Sequence, residues 1–285
     1  MAENAKPKRL GFWFTFLPPF AWMTVLYFVP LVALLTYAFQ RHEYVRIIHE
    51  FTWENFQQIA TNPGYRNTLW RTLWIANLVT LIDTLLALPV AWFLAFHAGR
   101  FKRTLMILVL LPLWSSYLVR VFAWRIILGY NGVLNGFLVH TGILREPSTL
   151  FLYNKFSMVL TLCYIWLPFM VLPLTTAFER LPTRLLEASA DLGARPFTTF
   201  RRVTIPLVLP GLLAGGLSVF SLTMGDYITP SLIGGAGDIL VGNLVASQFG
   251  VAANWPLGSA FAAVVLVVIF CVMALLSRKG VLENL

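Results

Sequence analysis

Few side chains in this sequence can do chemistry, and those that can lie mostly inside apolar runs or at their ends. Asp83 sits mid-run, and Asp226 follows Met224 and Gly225 at the end of another run with Tyr227 beside it. Trp124, Tyr164, Trp166 and Phe220 add aromatic faces. Carboxylates and aromatic rings in an apolar setting solvate a cation that has left water. The chemistry on offer is therefore the handling of a charged solute. Catalytic groupings are missing: His42, His49, His97 and His140 fall at or beyond the ends of apolar runs, with no H-E-x-x-H and no G-x-S-x-G. No G-x-x-x-x-G-K-[ST] phosphate loop occurs. Cys163 and Cys271 have no Cys or His at zinc spacing and read as small buried hydrophobes.

Each of these groups has two readings. Asp83 lies on a solute path, or it pairs within a bundle, for instance with Asn77. Asp226 and Asp238 are the only charges of the segment 225–257. They make a negative vestibule that concentrates cations, or Asp226 is a helix-end turn residue. Tyr164, Trp166 and Phe220 form a cage around a cation, or they pack. Trp124 anchors a span end or meets the solute. Arg120 and Arg125 snorkel or pair with acidic groups on a neighbouring subunit; unpaired and on the path, they favour an anionic or zwitterionic solute.

The elements that must position these residues are membrane helices. Of 285 residues, 58% are hydrophobic and 12% charged, against roughly 45–50% and about 25% in soluble domains; mean hydropathy is +0.75. One crossing takes about 20 apolar residues. Six apolar stretches qualify, at about 12–40, 68–96, 104–128, 156–178, 207–224 and 258–277. The expected fold class is all-α, a polytopic bundle of six transmembrane helices. The first stretch runs too far for a signal peptide and lacks a small-residue cleavage site. Prolines 18, 19, 30, 89, 112, 168 and 173 fall inside the stretches, which requires neighbouring helices to satisfy the freed backbone groups.

The net charge of +9 does not mark a nucleic-acid binder, because the basic residues lie in short clusters between apolar runs. With the N-terminus in the cytoplasm, inside segments carry thirteen of the 21 basic residues, among them Lys6, Lys8, Arg9, Arg100, Lys102, Arg103, Arg278 and Lys279. The positive-inside rule then places both termini and the segment 179–206 in the cytoplasm.

That segment has its own design. Thr183 is placed to cap a short helix, with Leu185, Leu186, Ala188 and Leu192 on one face and Arg184, Glu187 and Asp191 on the other. Gly193 suits a left-handed stop and Pro196 a second helix start. So short a helix needs a surface to bury its apolar face. Acidic Glu187 and Asp191 favour a protein groove over anionic headgroups, where Lys and Arg are the usual polar-face residues.

Glu187-Ala188-Ser189, three residues, Gly193, nine residues and Val203-Thr204-Ile205-Pro206 resemble the EAA loop of ABC importer permeases. The departures from that family's pattern are Ser189 for Ala, Val203 for Ile and Ile205 for Leu. Further segments resemble the first permease of spermidine/putrescine importers. They include Leu111 to Trp124, Gly132 to Asn135, Leu167 to Pro173, Ala190 to Ala194 and Met224 to Tyr227.

The resemblance implies a type I importer permease (MetI-like) fold in the bacterial inner membrane. The chain would comprise a tail 1–10, a first helix and loop 11–64, a permease core 65–277 with the coupling loop 179–206, and a tail 278–285. It implies that Glu187, Ala188, Ser189, Asp191, Leu192, Gly193 and Pro206 couple to an ATPase. Asp83, Trp124, Tyr164, Trp166, Phe220, Asp226 and Tyr227 are the path candidates. Implied partners are two copies of an ATP-binding subunit, a second and different permease, an extracytoplasmic solute-binding protein and membrane lipid. ATP and Mg belong to the ATPase, so this chain holds no cofactor and is not an enzyme. Polyamines are the expected cargo; opines, aminobutyrate and aminophosphonates are the alternatives. An ATP-independent secondary transporter is the rival class, and no inverted repeat of the kind such proteins carry is evident.

One outcome follows from the loop. Gly193→Asp leaves membrane insertion intact, measured by membrane fractionation, and uncouples transport; loss of insertion would contradict the coupling role.

Overall fold

The computed structural model describes residues 9–43 and 46–277; the basic residues Lys6, Lys8, Arg278 and Lys279 lie outside them. Helix α1 (Arg9–Tyr37) is followed by a two-stranded antiparallel ribbon, β1 (Arg41–Glu43) and β2 (Arg46–Ile48), and by α2 (Glu54–Thr61). Helix α3 (Pro63–Phe96) starts where Asn62 accepts the Gly64 N–H at 2.8 Å, with Pro63 at the first helical position. Then come α4 (Lys102–Leu110), α5 (Tyr117–Leu128), α6 (Val133–His140) and α7 (Lys155–Glu179). The chain continues through α8 (Thr183–Asp191), α9 (Pro196–Thr199), α10 (Ile205–Met224), α11 (Ile228–Ile233), α12 (Val241–Phe249) and α13 (Trp255–Ser277).

Among the described residues five helical segments, built on α1, α3, α7, α9–α10 and α13, are long and apolar enough to cross a membrane, and the bent pair Gly99–Trp114 and Tyr117–His140 brings the number to six when it is counted as one span. The third stretch is thus not the single span expected over 104–128: it bends by 93°. Pro112 removes a helical donor and crowds the preceding turn, the chain tightens into a 3₁₀ turn at Leu111–Trp114, and Ser115 and Ser116 are extended. Pro89, Pro168 and Pro173 stay inside continuous helices.

Three helices make the core. Ile75, Val79, Ala87, Ala91 and Leu94 of α3 meet Met158, Leu162, Ile165, Met170, Leu174 and Phe178 of α7. Ring contact between Trp92 and Phe178, both near C-terminal ends, shows that α3 and α7 run parallel. Helix α10 runs back between them. A Cβ at Gly211 would lie 2.4 Å from the Ala177 Cβ, and one at Gly215 would lie 2.8 Å from the Met170 Sδ. Small residues let membrane helices approach this closely, where dispersion and not the hydrophobic effect holds them.

Several buried or half-buried hydroxyls are satisfied on their own helices, as Thr72 to Thr68 O at 2.7 Å and Thr80 to Ala76 O at 2.7 Å illustrate, whereas those of Thr204 and Ser259 have no partner. Thr72 also accepts the Val241 N–H at 2.9 Å, which pins α12 to α3. Helices α1 and α13 pack against each other at one side, with Tyr37 edge-on to Trp255. The large apolar residues left exposed, Trp22, Phe28, Leu81, Leu85 and Phe270 among them, form the face a bilayer covers.

The glycine contacts give a graded outcome. Gly211→Leu forces α10 off α7 and costs about 1–3 kcal/mol or more, read as a lower unfolding temperature in detergent. Gly216→Ala, whose Cβ would make only ordinary contacts with Thr80 Cγ2 at 3.5 Å and Met170 Cε at 3.9 Å, does not lower that temperature.

Candidate functional site

The end of the bundle where α3 and α7 finish carries α8 and α9. The expected cap is corrected here: Pro182 is the N-cap of α8 and makes no side-chain bond, while Thr183 is the first helical residue. Gly193 has φ +75° and donates to Ala190 O at 2.8 Å, closing the helix in the left-handed region that glycine adopts without strain. Pro196 opens α9 as its first residue. The Ser189 and Thr199 hydroxyls lie 2.7 Å apart and hold α8 to α9. Ser189 at the family's second Ala position therefore makes a bond that alanine cannot.

Glu187, Ala188, Asp191 and Gly193 are exposed. Leu192 is 87% and Phe197 72% exposed, an apolar edge beside two carboxylates. A π-helical turn, Phe200–Thr204, carries α9 directly into α10, and Pro206 lies in the first turn of α10. Lys102 and Glu179 form an ion pair at 2.9 Å that joins the start of α4 to the end of α7 at the same end of the molecule. Six of the seven coupling candidates thus stand on one projection, and the seventh, Pro206, lies at the start of the core helix that continues it.

The seven path candidates do not converge. Trp124 and Tyr164 pair edge to face at 5.3 Å. Trp166 stacks on Tyr117 at 5.5 Å. Phe220 belongs to a separate cluster with Ala76 and Met224, so the rings of Tyr164, Trp166 and Phe220 pack against different neighbours. Tyr227 is exposed, and it borders a cavity of ≈ 350 Å³ with Tyr117, Trp166, Ser221 and Asp226.

Asp226 is 6% exposed. Its Oδ1 accepts the N–H groups of Ile228 at 2.9 Å and Thr229 at 3.2 Å, and its Oδ2 accepts the Thr229 hydroxyl at 2.8 Å and the Tyr117 hydroxyl. Burial pushes the carboxyl above its ordinary value, while the bonds from Tyr117, Thr229 and Ile228 pull it down. A carboxylate so engaged belongs to the turn between α10 and α11 and is not an open vestibule charge. Asp238 takes the Gly235 N–H at 3.1 Å and lies 3.9 Å from Lys155.

Asp83 is fully buried on the face of α3 that meets α7, and neither carboxylate oxygen has a hydrogen-bond partner. Its polar neighbour is the Cys163 side chain of α7. Asn77 is not its partner, because that amide donates to Leu73 O at 2.8 Å. Arg125 donates to the Tyr153 hydroxyl at 3.1 Å. Arg120 is 9% exposed, with Nε and Nη1 buried and unpartnered. Sequence reasoning missed Tyr117 and Thr229 as partners of Asp226; the extended Ser115-Ser116 pair after Pro112 is the local signal that sets Tyr117 at a helix start.

A family model described as the binding-protein-dependent transport system inner membrane component matches residues 64–280. The chain is 40% identical to the inner membrane ABC transporter permease protein YdcU of Escherichia coli (strain K12), over 97% of this chain and 92% of that protein. It is 35% identical to the spermidine/putrescine transport system permease protein PotB of Haemophilus influenzae, over 93% of this chain and 94% of that protein. The fold resembles a chain of the bacterial alginate ABC transporter solved in complex with an alginate pentasaccharide-bound periplasmic protein, with TM-score 0.73 and 14% identity over 95% and 94% of the two chains. With the match to the family model covering the α3–α7–α10 core and the projecting α8–α9 segment, the chain belongs to the binding-protein-dependent transport inner membrane components and is an ABC importer permease subunit.

Proposed function

We propose that this subunit carries polyamines through the membrane in an ATP-driven importer, with the α8–α9 segment as its contact to the ATPase. The observation that carries the coupling part is the projecting apolar edge of Leu192 and Phe197, joined without a break to α10 through the π-helical turn at Phe200–Thr204. Exposed leucine and phenylalanine side chains beside Glu187 and Asp191 are the surface of a helix that fills a protein groove. A push on them is delivered to the core helix that packs closest to α7. Both termini and this segment lie in the cytoplasm in this reading. Two ATP-binding subunits hold ATP and Mg, a second permease of different sequence completes the path, and a solute-binding protein delivers cargo at the α11–α12 end. This chain then contributes alternating access and no covalent chemistry.

The polyamine part is supported by the relatives named for spermidine and putrescine. Because the Asp226 oxygens are already occupied, the ammonium groups pass chiefly against aromatic faces such as Tyr227 and the Trp124–Tyr164 pair, each worth about 0.5–2 kcal/mol to a partly desolvated cation. One observation favours a second cargo: the unpartnered Arg120 nitrogens suit a carboxylate, hence an amine-bearing zwitterion of the opine or aminobutyrate kind.

The test is ATP hydrolysis by the reconstituted complex with its binding protein, titrated with spermidine, putrescine and zwitterionic amines at fixed salt. The expected outcome is saturable stimulation by a polyamine. Stimulation by a zwitterion alone moves the cargo to the second reading, and no stimulation by any solute overturns the ATP-driven one.

A further inference from the structure

Tyr117 stands where several elements meet. It is the first residue of α5 after the 93° bend, and the extended Ser115 and Ser116 mean that α4 and α5 are not one rod. Its hydroxyl donates to Asp226 and lies 2.7 Å from the Thr229 Oγ1. The ring stacks on Trp166 of α7, and the Arg120 guanidinium lies 5.8 Å from its centroid. Asp226 is itself fixed to the first turn of α11 by three bonds from Ile228 and Thr229. The last acceptor position of the corner between α10 and α11 is therefore filled from α5.

We propose that Tyr117 is a positioning residue whose hydroxyl fastens α5 to the α10–α11 corner, so that α5 travels with α10 and not with α4 when the bundle changes state. A helix cut from its predecessor by two extended residues needs another attachment, and the Tyr117 hydroxyl, through Asp226 and Thr229, is the polar one that α5 makes to this corner. Bonds to charged acceptors are the strong class, and losing one shifts a two-state equilibrium by about tenfold or more. The proposal rests on the importer reading only in taking ATP as the driver of the change.

The experiment uses the assembled transporter in lipid, with Cys163 and Cys271 replaced by alanine and spin labels at exposed positions. One pair, Leu118 and Ser231, spans α5 and α11; the other, Leu108 and Ser231, spans α4 and α11. Distances are read by pulsed electron paramagnetic resonance with and without trapped ATP. In the wild-type background the Leu108–Ser231 distance changes with ATP and the Leu118–Ser231 distance does not. In Tyr117→Phe the Leu118–Ser231 distribution broadens and moves with ATP. Asp226→Asn keeps an acceptor for the α11 N–H groups while weakening the Tyr117 bond; it is read in the same way should Tyr117→Phe not assemble. A Leu118–Ser231 distance that shifts as much as the other pair in the wild type overturns the proposal, as does a variant as fixed as the wild type. If neither pair answers to ATP in the wild type while Tyr117→Phe still loosens Leu118–Ser231, the fastening stands and the ATP-driven reading fails.

Discussion

Helix α10 lies against α7 with no room for a Cβ at Gly211 or Gly215, and the other functional features hang from that contact. Lipid offers no hydrophobic gain for bringing two apolar helices together, so close backbone approach and dispersion must supply the attraction. Two glycines one turn apart, Gly211 and Gly215, provide it in the first half and middle of α10. The Asp226 corner occupies the other end of the same helix. In the proposed mechanism α10 is the continuous link between the exposed α8–α9 surface and the buried turn, and the glycine seam keeps it registered on α7.

Buried polar groups divide by how far they are satisfied. Threonine hydroxyls return to carbonyls four residues back and cost little. Asp226 is satisfied four times over, which identifies it as a structural acceptor. Among the described residues the exceptions, buried without a hydrogen-bond partner, are the Asp83 carboxyl oxygens, Arg120 Nε and Nη1, Trp166 Nε1, Gln40 Oε1 and the Thr204 and Ser259 hydroxyls. A buried polar group left without a partner costs about 1–3 kcal/mol.

Much of the fold was legible because apolar length is a direct physical requirement of the bilayer: the stretches ending near residues 96, 178, 224 and 277 coincide with α3, α7, α10 and α13. The α8–α9 segment was legible for a similar reason, since Gly193 and Pro196 act locally through φ and the missing N–H. The bend at Ser115-Ser116 was not, because Pro112 alone does not distinguish a broken span from the intact helices that hold Pro89 or Pro173; tertiary packing decides. The ring pairings were not legible, because residue type reports the capacity to meet a cation, whereas the pairs Trp124–Tyr164 and Tyr117–Trp166 depend on which helix faces fall opposite each other. Asp226 was legible as a helix-end turn residue, but its partner on α5 lies 109 positions away in sequence.

The most direct measurement of the central claim is site-specific photocrosslinking in the intact transporter from Leu192 and Phe197, with Val251 at the opposite end of the bundle as the reference position. The account predicts that both loop positions capture the ATP-binding subunit and that Val251 does not. Capture of the ATP-binding subunit from Val251, or of lipid alone from Leu192 and Phe197, would contradict it.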